Sequence, residues 1–275
     1  MIHSIRLLIF CLLFASMPVS SADRQPLTFA VVPQQAASKL ARLWTPILDR
    51  LGAQAGVAIE FQTAKDIPTF EQRLAEGGYD CAYMNPYHFT VFHENPGYEA
   101  VARARDKRIK GILVTLKDSP IQNIEDLKGL SLAFPAPAAF AATILPQREL
   151  AAKGIDIESN YVSSHDSVYR TVARGLYPAG GGVVRTFKNV APKISEQLQV
   201  LWTTDGYTPH AIACAPDVPS ELRLKLQAAL VHLDSDPAGE TLVSAIKIKG
   251  FVAAENDDWD DVRALNIDNL SGNSK

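Results

Sequence analysis

The sequence lacks the loops on which common enzymes are built. It has no G-x-S-x-G nucleophile elbow, no Walker loop, no H-E-x-x-H pair and no C-x-x-C motif. Gly180-Gly181-Gly182 lacks the dinucleotide-binding spacing, and reads as a flexible turn or a close backbone approach between strand and ligand. His88 and His93 are five positions apart, the wrong interval for one helical face, so no metal pair is expected. Asp257-Asp258-Trp259-Asp260-Asp261 lacks the central glycine and terminal glutamate of a calcium loop. It reads as a solvated helix start with Trp259 packed inward. An excess of one charge is also missing: 27 Lys and Arg face 30 Asp and Glu, a formal net charge of −3. That argues against a nucleic-acid partner. After residue 22 no apolar run is long enough to span a bilayer. Neither enzyme activity, nor a cofactor, nor a metal is expected.

What is present begins with a leader. A weakly basic start containing Arg6 precedes an apolar run from Leu7 to Ala15, then Pro18-Val19-Ser20-Ser21-Ala22. This predicts a secretory signal peptide over 1–22, cut after Ala22, and a protein of the periplasm. Cys11 lies inside the apolar run after Phe10, which does not fit a lipoprotein cleavage site. The two remaining cysteines, Cys81 and Cys214, either pair in an oxidising compartment or serve as small buried side chains. The second reading is the one preferred from the residues.

Apolar runs and helical periodicity then alternate. Strands are predicted at Leu27–Val32, Val57–Phe61 and Tyr79–Met84, with helices over Ala36–Leu51 and Thr69–Glu76. This order implies a parallel sheet with helices on its faces. A long apolar strand, Ile109–Leu116, leads to a second module. It contains strands near Leu130–Phe134, Asn160–Val162, Gly180–Val184 and Gln199–Trp202, with helices over Ala139–Lys153 and Ser167–Arg174. The chain returns at His210–Ala215. A helix then runs over Ser220–Leu233 with Ser220 as its cap, followed by shorter helices at Gly239–Ile246 and Trp259–Leu265. The layout predicts a discontinuous first lobe (23–110 and 210–275) and a continuous second lobe (111–209). Ligands of such sheets bind beyond the carboxyl ends of the strands, so both lobes should line one cleft.

Polar residues at those ends are the candidates for contact. Asn85-Pro86-Tyr87-His88 is a cleft loop, a capped helix start, or both. In Ser163-Ser164-His165-Asp166-Ser167, His165 donates to an anion, or Asp166 or Ser167 caps a helix. Arg185 is a counter-ion or a surface salt bridge. Tyr207 and His210 flank the cleft or pack at a hinge.

Several of these segments carry a resemblance. They are Tyr79–Pro86, Ile112-Leu113-Val114, Lys117–Ile121, Asp126-Leu127-Lys128-Gly129 and Ser164–Val168. In this order the chain resembles the PhnD-type phosphonate, phosphite and phosphate-binding proteins of ABC importers. The resemblance implies an α/β, type II periplasmic-binding-protein fold: two βαβ lobes joined by two crossover strands. It implies a monomer that captures a small ligand by domain closure and serves an inner-membrane permease. Some relatives instead serve a sensor kinase. In that family a Ser- and Thr-rich helix start grips the phosphonate; the matching positions here are Ala139, Phe140 and Ala141. The family histidine matches His165, while the acidic residues near Pro178-Ala179-Gly180 and His210 are missing. The expected ligand set is Asn85, Tyr87 and His88 from lobe one. Lobe two adds the amides of Ala139–Ala141, Phe140 as an apolar wall, Ser164, His165, Tyr169 and Arg185. Tyr207 and His210 sit at the hinge. The fold also places Cys214 beside Cys81, as a disulfide, a soft-ligand pair or plain packing.

Overall fold

In the computed structural model the chain is described over residues 25–268, so the expected signal peptide lies outside the described residues. Strand β1 (Leu27–Val31) lies parallel between β2 (Ile59–Gln62) and β3 (Cys81–Met84). Helix α1 (Ala37–Ala55) crosses between β1 and β2, burying Leu40, Trp44, Ile47, Leu48, Leu51 and Ala55 along one face. It runs past Leu51 and stops where Gly56 turns left-handed at φ 72°. Helices α2 (Ile67–Ala75) and α3 (Pro86–Glu94) open on side-chain caps. Asp66 accepts from the Thr69 amide at 2.9 Å and Asn85 from the His88 amide at 2.8 Å.

Two strands of this lobe do not stand out in the sequence. They are β4 (Glu99–Ala104) and β11 (Phe251–Ala253). With β10 (Ala211–Cys214) they complete a six-stranded sheet of order β11-β4-β10-β3-β1-β2, its added strands antiparallel. The register sets Cys214 opposite Cys81, and the two form a disulfide. The preference for two unpaired buried thiols is therefore corrected. Helices α8 (Ser220–Val231), α9 (Pro237–Ala245) and α10 (Asp260–Arg263) close the chain. Ser220 is the first helical residue of α8 and not its cap; Pro219 holds that position without a side-chain bond. Trp259 is fully buried, as its place among acids suggests, and donates from Nε1 to the Pro209 carbonyl at 2.8 Å.

The second lobe has a five-stranded sheet of order β7-β6-β8-β5-β9. Its strands are β5 (Gly111–Leu116), β6 (Ser131–Phe134), β7 (Glu158–Tyr161), β8 (Ala179–Val183) and β9 (Leu198–Thr203). The helix after β6 does not begin as an α-helix. Phe140–Ile144 forms one π-helical turn that continues into α4 (Leu145–Ala152). Pro146 has no N–H to donate to the Ala142 carbonyl four residues back, and the coil widens there. Helix α5 (His165–Ala173) starts two residues before the predicted Ser167, with Ser164 as the cap. Two short helices follow β8, α6 (Val184–Lys188) and α7 (Pro192–Ser195).

Two chain segments join the lobes, one from β4 to β5 and one from β9 to β10. They are tied by a pair of backbone bonds. The Ile109 amide donates to the Tyr207 carbonyl at 2.8 Å and the Tyr207 amide to the Ile109 carbonyl at 3.0 Å. The largest apolar cluster crosses the lobe boundary: it takes in Ala136–Leu145 positions of the second lobe with the core of the first. Separate small clusters cover the two faces of the second sheet. Among the described residues no helix is long and apolar enough to cross a membrane.

Candidate functional site

The carboxyl ends of β1, β3 and β6 point to a small cavity between the lobes. Val32, Gln34, Ile67 and Asn85 line it from the first lobe, and Ala139–Ala142, His165 and Val183 from the second; Ile109 and His210 of the crossover segments close it. It has about 10 Å³ of room, enough for roughly one water. The lobes are thus closed over a nearly filled cleft. Asn85 does two jobs. Its Oδ1 caps α3, and its Nδ2 donates to the Ala138 carbonyl across the cleft at 3.1 Å. The capping reading of Asn85 holds, and the residue also lines the cavity. Gln34 Oε1 accepts from the Arg185 guanidinium, and Lys39 Nζ donates to the Asn189 carbonyl; both bonds also bridge the lobes.

Polar groups converge on the cavity from three directions. The first-turn amides of Phe140, Ala141 and Ala142 have no acceptor within their own helix. They carry the positive end of the helix dipole. His165 and His210 each have a buried Nε2 without a partner. Burial, with the Arg185 charge nearby, lowers His165 to about 3 and holds His210 well below the usual histidine range. Both imidazoles are therefore neutral in this closed form. His210 stacks on Tyr83 at 4.8 Å between ring centroids, and the Arg185 guanidinium lies over the Tyr83 ring, 5.7 Å from its centroid.

Six of the twelve expected contact residues meet at this cavity: Asn85, Ala139, Phe140, Ala141, His165 and His210. Arg185 stands just outside, between Gln34 and the Tyr83 ring. The others do not line it. Tyr87 is buried in the first-lobe core. The His88 ring, one position on along α3, packs by Phe70 and Phe92 and bonds Glu71 Oε1 at 2.8 Å. Ser164 is used as the α5 cap. Tyr169 is buried behind β8, where its hydroxyl meets Thr186 Oγ1 at 2.7 Å and accepts from the Val183 amide at 3.1 Å. Tyr207 packs edge-on against Phe140 at 5.7 Å from the outer side. Gln34 was not anticipated, although it lies just past the end of β1 in Val31-Val32-Pro33-Gln34.

Two sheets of mixed direction, two crossovers and a cleft at the strand ends define a two-lobed periplasmic binding protein of type II. Residues 29–259 match the family of the ABC transporter, phosphonate, periplasmic substrate-binding protein, and the chain belongs to that family. It is a family of substrate-binding components of transporters, not of enzymes. The phosphate-import protein PhnD of Mycolicibacterium smegmatis is 23% identical over 215 residues. That alignment covers 66% of this chain and only 63% of the relative's length. Among solved structures, the binding protein of an ABC phosphonate transporter from Pseudomonas aeruginosa superposes with a TM-score of 0.81 at 18% identity. The match covers 88% of this chain and 86% of that one. PhnD1 of Prochlorococcus marinus, in complex with methylphosphonate, gives 0.78 at 19% identity, covering 87% and 98%. At these identities the structural likenesses carry the fold.

Proposed function

We propose that this protein captures a small phosphonate- or phosphate-like oxyanion between its lobes and hands it to the permease of an ABC importer. The observation that carries this reading is the meeting of Asn85, His165, His210 and the amides of Phe140–Ala142 at one closed interlobe cavity. Amides and imidazoles replace the hydroxyls that the Ala139-Phe140-Ala141 stretch does not have. The mature protein works in the periplasm as a monomer, after removal of residues 1–22. Its lobes comprise 23–110 with 210–275, and 111–209. Because the cavity holds roughly one water, the ligand enters an open form and the lobes close on it. Sensing through a histidine kinase is the less favoured reading, since the family is a transporter component.

Titration calorimetry on the mature protein tests this, with methylphosphonate, phosphite, phosphate, a sulfonate and arsenite as ligands. One phosphorus oxyanion should bind in a 1:1 ratio. Asn85→Ala and His165→Ala should each weaken it by roughly 10- to 100-fold, the loss of one charge-assisted hydrogen bond. Absence of heat with every ligand in the series would sink the reading.

A further inference from the structure

Beside the interlobe cavity, behind a wall of Ile109, Val183 and His210, lies a larger groove of about 500 Å³. Eight basic residues and one acidic residue, Asp106, line it. This is a marked concentration in a chain of formal net charge −3. Arg105 and Arg108 are paired with Asp234 and Asp261. The other six come from three segments: Lys107 and Lys110 from the first crossover, Arg185 and Lys188 from α6, and Lys247 and Lys249 from the turn after α9. Among the described residues none of these six forms a salt bridge. Arg185 donates to the neutral Gln34 amide and Lys107 to the Lys247 carbonyl, so neither charge is offset. Burial, with the nearby charges of Arg185 and Lys188, holds Lys107 down to about 8.

We propose that this groove is a second anion site, for a polyvalent phosphate compound, and that its occupant holds the two lobes together. A small monoanion offsets only one of six charges. A chain of phosphate groups presents several oxygens in a row, each able to accept charge-assisted bonds from Lys and Arg. The volume matches pockets that enclose small organic ligands. Tyr83, Val184 and Ile248 give the groove apolar walls against which an organic body can rest. Arg185 and Lys188 belong to the second lobe, Lys247 and Lys249 to the first, so one occupant contacts both. Without it, like charges face each other across the closed cleft and favour opening. The inference requires two closing lobes and does not require the ligand preference proposed above.

The mature protein is titrated with inorganic tripolyphosphate and, separately, with a nucleoside triphosphate; the pair distinguishes an inorganic chain from a phosphorylated organic compound. At least one should bind, and Lys188→Gln combined with Lys249→Gln should weaken it by tenfold or more. Both lysines are exposed, so this variant should fold, and an unchanged melting temperature checks that. Methylphosphonate affinity should stay within twofold in the same variant. If no ligand of the oxyanion series binds, the oxyanion reading fails while the tripolyphosphate result still stands. The proposal is overturned if neither polyphosphate binds, if the double variant binds them as well as the parent, or if methylphosphonate displaces them one for one.

Discussion

His165 and His210 approach the same cavity from α5 and from the returning crossover, and a network of two hydroxyls lies behind the His165 ring. The Val183 amide donates to the Tyr169 oxygen at 3.1 Å, the Tyr169 and Thr186 hydroxyls share a hydrogen bond at 2.7 Å, and both reach the Val183 carbonyl, at 3.3 and 3.0 Å. Thr186 Oγ1 and His165 Nδ1 are 3.3 Å apart, and which of them donates follows the tautomer of the ring. A neutral His165 faces the cavity with an unpartnered Nε2, a donor in one tautomer and an acceptor in the other. An ionised ligand oxygen accepts from Nε2–H in the first, and a P–OH donates to Nε2 in the second. The same burial has a consequence for stability. His165 is lowered to about 3 in the folded chain, against an ordinary value of about 6.5 in the unfolded chain. Between those values the unfolded chain binds the extra proton, so stability is full above about 6.5 and falls as the pH drops through that window. By pH 5 the loss attributable to His165 is roughly 2 kcal/mol. Urea unfolding at pH 7.5 and at pH 5 measures it, with His165→Gln as the control. An equal loss in parent and variant would show that the ring is not buried and neutral.

At the scale of elements, the Ala-rich stretch Ala133–Pro146 is explained by what lies beneath it. A Cβ added at Gly111 would stand 1.8 Å from the Ala141 carbonyl oxygen, and one added at Gly181 would stand 1.9 Å from that of Ala142. The π-helical turn therefore rests with its backbone directly on β5 and β8, at glycines of those strands. Gly181→Ala should push Phe140–Ala142 toward the cavity and destabilise the protein by about 1–3 kcal/mol. It should also weaken ligand binding, read by denaturant midpoint and calorimetry on one preparation. A variant with unchanged midpoint and affinity would refute the close approach. The glycine run 180–182 is neither a turn nor an approach of strand to ligand: it lies in β8 and packs closely against helices. The parallel strands β1, β3 and β6 were legible because sheets covered on both faces need unbroken apolar runs. β4, with Glu99, Arg103 and three alanines, has no such run, and β11 has three residues. Both exist through pairing with distant strands, which no local pattern records. The cavity lining was legible where a strand end meets a helix start, at Asn85, Ala139–Ala141 and His165. It was misread at Tyr87 and His88, because the helical rotation after Asn85 turns those rings into the first lobe. Gln34 went unseen because a lone amide after a proline carries no motif.

At the scale of the whole molecule, the chain leaves the first lobe after β4 and returns at β10, and the disulfide sits near the base of this excursion. Cys81 and Cys214 are 133 residues apart, and all five strands of the second sheet lie between them. The bond therefore makes the second lobe a closed loop hanging from two stapled strands of the first. Both sulfur-bearing residues are buried and neither lines the interlobe cavity. The crossover segments, joined at the Ile109–Tyr207 bridge, lie beyond the staple, so the bond restrains the unfolded chain without tying them. A loop of this length contributes roughly 3–5 kcal/mol by restricting the unfolded ensemble. For a chain of this size that corresponds to a fall in melting temperature on the order of 10 °C when Cys81→Ala and Cys214→Ala are combined. Oxyanion affinity should remain within a few fold, since the cavity's own groups are untouched. A thermal scan and a titration on the double variant separate the two effects. Lost affinity with unchanged melting would place the staple in the hinge mechanism instead, and an unchanged melting temperature alone would remove it from the stability of the fold.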